Sequence, residues 1–294
     1  MGLVEVGTNA ESPHFSVIMA NYNGGKYLAE AIQSVLDQTY PHFEFIIVDD
    51  GSTDDSPAII ESFAQRHPDK IRTLLKRENE GQGESFNKGF ALSRGKYICF
   101  VDSDDVWYRD KLRRLSDLIK SSRTSAIYQH NLFKWRNGAE TRERYRALLI
   151  TGDVFRHSQE TRHFPLFAPT SALAFPRSVL EKVLPIPRTF RTCADGYLTR
   201  TSFVHGPVAS SDECWGYYRI HGANNVFANS KHDGMAYRYG LLIPALNEYY
   251  QKQGLEFRFD ENRLHERLKH ISPFKAFHFV RNKIRELFRA TPHP

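Results

Sequence analysis

Residues 97–107 read Tyr-Ile-Cys-Phe-Val-Asp-Ser-Asp-Asp-Val-Trp: an apolar run, Tyr97 to Val101, that breaks into Asp102, Asp104 and Asp105. Ionised carboxylates this close repel one another, and seating them at the end of a buried strand is costly unless a cation compensates. All-oxygen ligands of this kind suit Mg²⁺ or Mn²⁺, and Mg²⁺ is usually held by one or two carboxylates together with substrate phosphates. A lone Asp-x-Asp is more often a solvated acidic turn. The surrounding sequence therefore decides how it is read.

Upstream, Phe15 to Ala20 is a short β-rich apolar run that ends in Asn21-Tyr22-Asn23-Gly24-Gly25, a strong chain reversal. Tyr27 to Gln38 then places Leu28, Ala31, Ile32, Val35 and Leu36 on one helical face. Phe43 to Val48 is a second strand, ending in Asp49-Asp50-Gly51-Ser52-Thr53-Asp54, and Pro57 opens the next helix, to about Gln65. A strand over 71–75, a helix over 83–92, the strand over 97–101, a helix over 111–120 and a short strand over 125–130 complete the alternation. Strands alternating with helices predict βαβ units in a parallel sheet covered on both faces. Ligands of such sheets bind at the carboxyl ends of the strands. The polar loops 21–25, 49–54 and 102–105 all follow strands, so they are expected on one rim.

After Asn131 the alternation weakens. Residues 135–161 are polar and irregular, consistent with a hairpin and a mobile segment. Residues 164–175 are apolar and punctuated by Pro, residues 177–183 read as helix, a helix is expected to open just after Asp195, and 214–220 is β-rich. The three cysteines, Cys99, Cys193 and Cys214, are far apart and suggest neither a disulfide framework nor a zinc site, which fits a reducing compartment. No stretch of the sequence is long and apolar enough to cross a bilayer, and residues 1–14 read as a short polar leader. The chain carries a formal charge of +6. Between Arg263 and Arg289 eight Lys/Arg stand against Glu266 and Glu286, an excess equal to that of the whole chain. The remainder is close to neutral, which argues against a general nucleic-acid surface. Apolar residues recur every three or four positions between Phe274 and Phe288, so this basic stretch either lies on an anionic membrane surface or packs as an ordinary helix.

In order, the pieces Ser16–Asn23 with Ser34–Tyr40, Ile46–Asp54, Asn79–Trp107 and Tyr218–Asn224 resemble an inverting glycosyltransferase of family 2. The resemblance spans about residues 15–225 and rests on four motifs in sequence rather than on any one. It implies an α/β fold of the GT-A type, a Rossmann-like nucleotide-diphospho-sugar transferase with a mixed sheet flanked by helices and a C-terminal helical extension. The implied divisions are a leader (1–14), a nucleotide-sugar-binding part (15–131), an acceptor-binding part (132–225) and a basic helical extension (226–294).

Carried over residue by residue, the resemblance implies a donor site made of Ala20, Tyr22, Asp50, Asn79, Gly83, Asn87, Asp102 and Arg219. Tyr22 would lie against the donor's base, which Asp50 would hydrogen-bond. Asp102 would face the ribose or the metal, Asp104 would bind Mn²⁺ or Mg²⁺ on the diphosphate, and Arg219 and His221 would close from the other side, with His221 a further ligand. Asp105 is expected to cap the following turn. Asp195 would be the base that deprotonates the acceptor hydroxyl, as a direct inverting displacement requires. Two positions depart from the family pattern: Ala194 stands where Glu is common, and Phe86 where a basic residue often precedes Asn87. The expected partners are a nucleotide-diphosphate sugar, UDP-linked by preference, a glycan or lipid-linked acceptor, and an anionic membrane surface for the tail, with no nucleic acid. The setting would be cytoplasmic, at the inner face of the plasma membrane. A sugar-phosphate nucleotidyltransferase would want a basic Gly-rich loop after the first strand, and a dinucleotide oxidoreductase a Gly-x-Gly-x-x-Gly there; both are absent. A degenerate sugar-nucleotide-binding or peripheral membrane module is the remaining alternative.

Overall fold

The computed structural model describes residues 14–136, 139–222 and 236–260. The chain divides into two compact units, one ending at Gly222 and the other starting at Ala223. In the first, β1 (Phe15–Asn21), β2 (Phe43–Asp49), β3 (Ile71–Leu75) and β4 (Tyr97–Asp102) lie side by side in the order β3-β2-β1-β4, all parallel. Helices α1 (Gly25–Leu36), α2 (Ser56–Arg66) and α3 (Gln82–Leu92) make the crossovers that parallel neighbours need.

The rest of the sheet differs from a simple continuation of that alternation. The strand after α4 (Lys111–Ser121) is β6 (Ile127–Arg136), six residues longer at its end than the apolar run suggests. It does not pair with β4. A later strand, β8 (Leu173–Pro176), inserts between them, antiparallel to both. The long β9 (Val208–Ile220) then runs parallel to β6 and carries β5 (Val106–Trp107) on its far edge, while β7 (Ala139–Arg144) forms a hairpin with β6. The sheet is thus mixed, with nine strands. The expected hairpin is present. The irregular stretch after it contains a helix, α5 (Val154–Thr161), whose cap Asp153 accepts a hydrogen bond from the Arg156 N–H at 2.9 Å. Helices α6 (Arg177–Val183) and α7 (Ala194–Ser202) complete the unit, and Asp195 lies inside the first turn of α7 rather than ahead of it.

Alternate residues of the central strands serve two layers. Phe15, Val17 and Met19 of β1 and Phe45 and Ile47 of β2 join Leu28, Ile32, Ile60, Leu112 and Leu115 in the core under α1, α2 and α4. On the opposite face Phe86 of α3 packs on Phe100, with ring centroids 4.5 Å apart. Gly89 brings α3 onto that face: a Cβ there would lie 2.5 Å from the Ile18 Cγ2. Cys99 is a fully buried core residue, its thiol pushed up to about 12 by desolvation.

In the second unit a π-helical stretch, Ala236–Leu242, runs into α8 (Ile243–Lys252). The Asn247 side chain exchanges two hydrogen bonds with the Phe259 backbone, and Tyr250, Phe257 and Phe259 form an aromatic cluster. No helix among the described residues is long and apolar enough to cross a membrane. The expected leader and the basic amphipathic stretch fall outside the described residues.

Overpacking at the α3–sheet contact follows from this geometry. Gly89→Val is expected to lower stability by about 2 kcal/mol in urea unfolding; an unchanged midpoint would mean that the helix has room to retreat.

Candidate active site

The loops after β1, β2 and β4 meet at the carboxyl edge of the sheet. Ala20 stands in register with Val48 on one side and Asp102 on the other, so it forms the floor between the two acidic loops. Asn21 donates to the Asp49 carboxylate at 2.8 Å, and Asp49 in turn takes the Ser52 N–H at 2.9 Å and hydroxyl at 2.7 Å. Asp49 is therefore a turn-forming residue that laces the first loop to the second. Tyr22 stands out of this lacing with about half of its surface exposed, an unused aromatic face on the rim.

Four residues assigned to the donor have other engagements. Asp50 is buried, and its oxygens accept the Glu80 N–H at 2.9 Å and the Gly81 N–H at 2.7 Å while pairing with the buried Lys76 ammonium. It anchors the loop that leads into α3. Asn79 receives the Arg191 guanidinium on both its backbone oxygen (2.8 Å) and its side-chain oxygen (2.7 Å). Gly83 donates its N–H to the Phe190 oxygen at 3.0 Å. Asn87 uses its amide like a strand partner, donating to the Ile186 oxygen at 3.0 Å and accepting the Ile186 N–H at 2.8 Å. Gly81 lies against the same segment with φ at 96°, where a Cβ would sit 2.5 Å from the Arg191 Cα. Residues 79–87 thus clamp the segment 186–194, which delivers Asp195 to the rim.

The two departures from the family pattern also find their place. Phe86 is fully buried on the sheet with its ring packed on Phe100, so it serves as a core residue of α3. Ala194 is buried at the start of α7, with its N–H held by the Gln82 side chain at 3.0 Å.

The acidic cluster is the electrostatic centre. Burial and the charges of Asp105, Asp104 and Asp195 push the Asp102 carboxyl well above the ordinary carboxylate range. Asp195 is thereby close enough to be felt by Asp102. Its own carboxyl is raised by burial, opposed by the Arg200 charge and by the Gly196 N–H. Asp105 is fully buried and raised by burial first and Asp104 second. One of its oxygens accepts the Arg219 N–H at 2.9 Å, and the other has no hydrogen-bond partner. It does not cap the following helix, which starts from Asp110; it ties the acidic loop to β9.

Arg219 and His221 reach this loop from the end of β9. The Arg219 Nε donates to the Asp104 backbone oxygen at 2.8 Å, its guanidinium pairs with Glu30, and it lies between the rings of Tyr27 (4.7 Å) and Trp135 (4.3 Å). His221 places its Nε2 2.8 Å from the Asp104 carboxylate and packs on Tyr27. Tyr27 and Glu30, one turn apart on α1, were not anticipated; their i, i+3 spacing on the exposed side of an amphipathic helix was the available signal. Tyr218, whose hydroxyl is pushed up by burial, Tyr145 and the acidic residues, and Ser171, which accepts the Asp102 N–H at 2.9 Å, also line the cluster. Among the described residues no group of three or more His, Cys, Asp and Glu is arranged to hold a metal by itself. The donor set nonetheless fits a divalent cation shared with a phosphate ligand: crowded carboxylates, one orphaned oxygen, and a His-oriented Asp104.

A family model for glycosyl transferase family 2 matches residues 16–184. The chain belongs to that family. An uncharacterised glycosyltransferase of Nostoc sp. is 39% identical over 212 residues, 71% of this chain and 66% of that protein. The Bacillus subtilis protein TuaG, named for teichuronic acid biosynthesis, is 40% identical over 102 residues, 35% of this chain and 40% of its own. The chain thus spans two thirds or less of these curated relatives. Among solved structures, S. aureus TarS 1–349 in complex with UDP-GlcNAc superposes with a TM-score of 0.61 at 19% identity, over 95% of this chain and 81% of that one. The mannosyltransferase PcManGT from Pyrobaculum calidifontis, in complex with GDP-Man and Mn²⁺, gives 0.56 at 16% identity over 96% and 89%. At these identities the likeness is one of fold, and the fold of this family 2 member is GT-A.

The clamp makes a prediction that separates it from donor binding. Asn87→Ala strands the buried Ile186 N–H and oxygen and is expected to cost about 1–3 kcal/mol of stability in denaturant unfolding without ligand. Undiminished stability would mean that Asn87 does not hold the segment.

Proposed function

We propose that this glycosyltransferase is a metal-dependent inverting enzyme that moves a sugar from a nucleotide diphosphate, UDP by preference, to a glycan or lipid-linked acceptor in cell-envelope polysaccharide synthesis. The observation that carries the reading is the gathering of Asp102, Asp104 with His221, and Asp195 into one charge-coupled group at the sheet's carboxyl edge. The acceptor class is supported by TuaG, named for teichuronic acid biosynthesis, and the donor class by the UDP-GlcNAc and GDP-Man bound to the TarS and PcManGT structures.

In this reading Tyr22 offers its exposed face to the base, and Ala20 leaves room for the nucleoside beside Asp102. Asp50 acts chiefly by fixing the 79–81 loop. Asp104, His221 and Asp102 would hold Mn²⁺ or Mg²⁺, which when bound supplies Lewis-acid stabilisation of the diphosphate leaving group. Arg219, held between two rings and pinned to Asp104, adds a fixed positive charge beside that group. Asp195 takes the acceptor hydroxyl's proton as the oxygen attacks the anomeric carbon from the face opposite the diphosphate. Its raised carboxyl, balanced by Arg200, suits a group that must accept a proton and then release it. The chain would work in the cytoplasm, with the basic stretch 263–289 resting on the inner face of an anionic membrane.

Two outcomes are expected. Asp195→Asn should lower turnover by about 100- to 10,000-fold with donor affinity unchanged; measured nucleotide release at the wild-type rate would remove Asp195 from the chemistry. Asp104→Ala should abolish the Mn²⁺-dependent part of donor binding in calorimetry, whereas equal heats with and without Mn²⁺ in the unsubstituted chain would exclude a metal-bridged donor.

A further inference from the structure

At the opposite end of the sheet lies a second concavity that the transferase chemistry does not use. It has a volume of about 720 Å³, within the range of small-ligand pockets. Its walls come from the entry ends of β1, β4 and β6, the exit of the antiparallel β8, and the adjoining ends of α4 and α6. A strand of six residues separates this edge from the acidic rim, roughly 20 Å.

The lining is strongly one-signed. Lys96, Lys120, Arg123, Arg177 and Lys182 line it, with Glu181 as the single carboxylate. Lys120 is partly answered by Asp117 at 3.1 Å. Among the described residues Lys96 and Arg123 have no carboxylate partner. Arg177 donates to the Gly95 oxygen (2.8 Å) and the Ser93 hydroxyl (2.7 Å) and lies over the Phe90 ring, so its charge is held beside the cleft. The concentration of charge is felt by the histidines at the rim. His14 has its proton affinity lowered by burial and then by Lys96, His42 and Lys120, and His205 by burial and then by Lys182. Like charges collected from four separate elements into one concave wall focus a positive potential.

We infer that this basic cleft, walled by Lys96, Lys120, Arg123, Arg177 and Lys182, is a binding site for a phosphate-bearing anion, separate from the nucleotide-sugar site. Ser125, Ser178 and Thr124 line it as well and supply hydroxyl donors for phosphate oxygens. A phosphate monoester in solution and the phosphodiester of an anionic lipid headgroup present the same chemistry to it. The inference does not depend on the proposed transfer reaction.

The test compares the full chain with Lys96→Glu/Arg123→Glu, two exposed positions that touch nothing in the transferase site. Inorganic pyrophosphate is titrated calorimetrically with a chelator present, so that no metal-bridged binding at the acidic rim contributes. In parallel, flotation is measured on phosphatidylglycerol-containing and on pure phosphatidylcholine vesicles; the basic C-terminal stretch is the same in both proteins and cancels. The expected result is a loss of about tenfold or more in affinity for at least one probe, at low salt, with the melting temperature and glycosyl transfer retained. Loss for pyrophosphate identifies a soluble ligand, and loss for the anionic vesicles alone a headgroup. Arg123→Glu by itself should give the same effect at smaller amplitude, which guards against a folding defect in the double variant. If the variant binds both probes as well as the unsubstituted chain, or if neither probe binds the unsubstituted chain, the site does not exist.

Discussion

The constraint on which the functional edge depends is the crowding of Asp102, Asp104 and Asp105 where β4 leaves the core. Buried carboxylates in mutual repulsion are unstable partners, and burial and neighbouring charges push both Asp102 and Asp105 well above the carboxylate range. The protein holds them together with neutral and cationic groups placed around the loop. The Ser171 hydroxyl accepts the Asp102 N–H, the Arg219 backbone satisfies one Asp105 oxygen, and the buried Lys111 ammonium sits against the Trp107 ring and the Ser171 oxygen. The Arg219 side chain is itself immobilised by Tyr27, Trp135 and Glu30. These groups fix geometry without neutralising the cluster. In the proposed reading, the positive charge that this rigid acidic site lacks would come from a divalent cation bound together with the donor's diphosphate.

A second chain of contacts explains how Asp195, nearly a hundred residues later, arrives at the same edge. Asn21 binds Asp49; Asp50 holds Glu80 and Gly81; Asn79 holds Arg191; Asn87 holds Ile186; Gln82 holds Ala194. Most of these links are side chains satisfying backbone N–H or C=O groups at buried or half-buried positions, which are costly to leave without partners. Several residues that resemble donor contacts are in this way the frame that positions Asp195. Ala194 takes part in this frame through its N–H, and Phe86 through the core.

The first half of the fold was legible because its signals are local. Short continuous apolar runs, amphipathic helices and Asx-rich turns each occupy a dozen residues or fewer, and a parallel sheet then forces the three turns to one edge. What followed Asn131 was obscured by long-range pairing. Nothing in Leu173–Pro176 announces that it will insert between β4 and β6, because that choice is made by partners some forty to eighty residues away. Helix α5 was hidden by its polar composition, although Asp153 ahead of Val154 carried its cap signal. At the site, residue types were readable and partners were not. An Asp in a turn looks the same whether it meets a ligand or a backbone N–H, and only the fold assigned Asp50 to Glu80 and Gly81, and Asp105 to Arg219.

The most direct test of the account is thermal unfolding of the full chain with a panel of nucleotide sugars, each with and without Mn²⁺. A ligand that binds only the folded state raises apparent stability by mass action. The account predicts that one donor and Mn²⁺ together raise the melting temperature by more than the sum of their separate effects, because each completes the other's site among Asp102, Asp104 and His221. Separate effects that simply add, or a donor that stabilises equally with and without Mn²⁺, would contradict it.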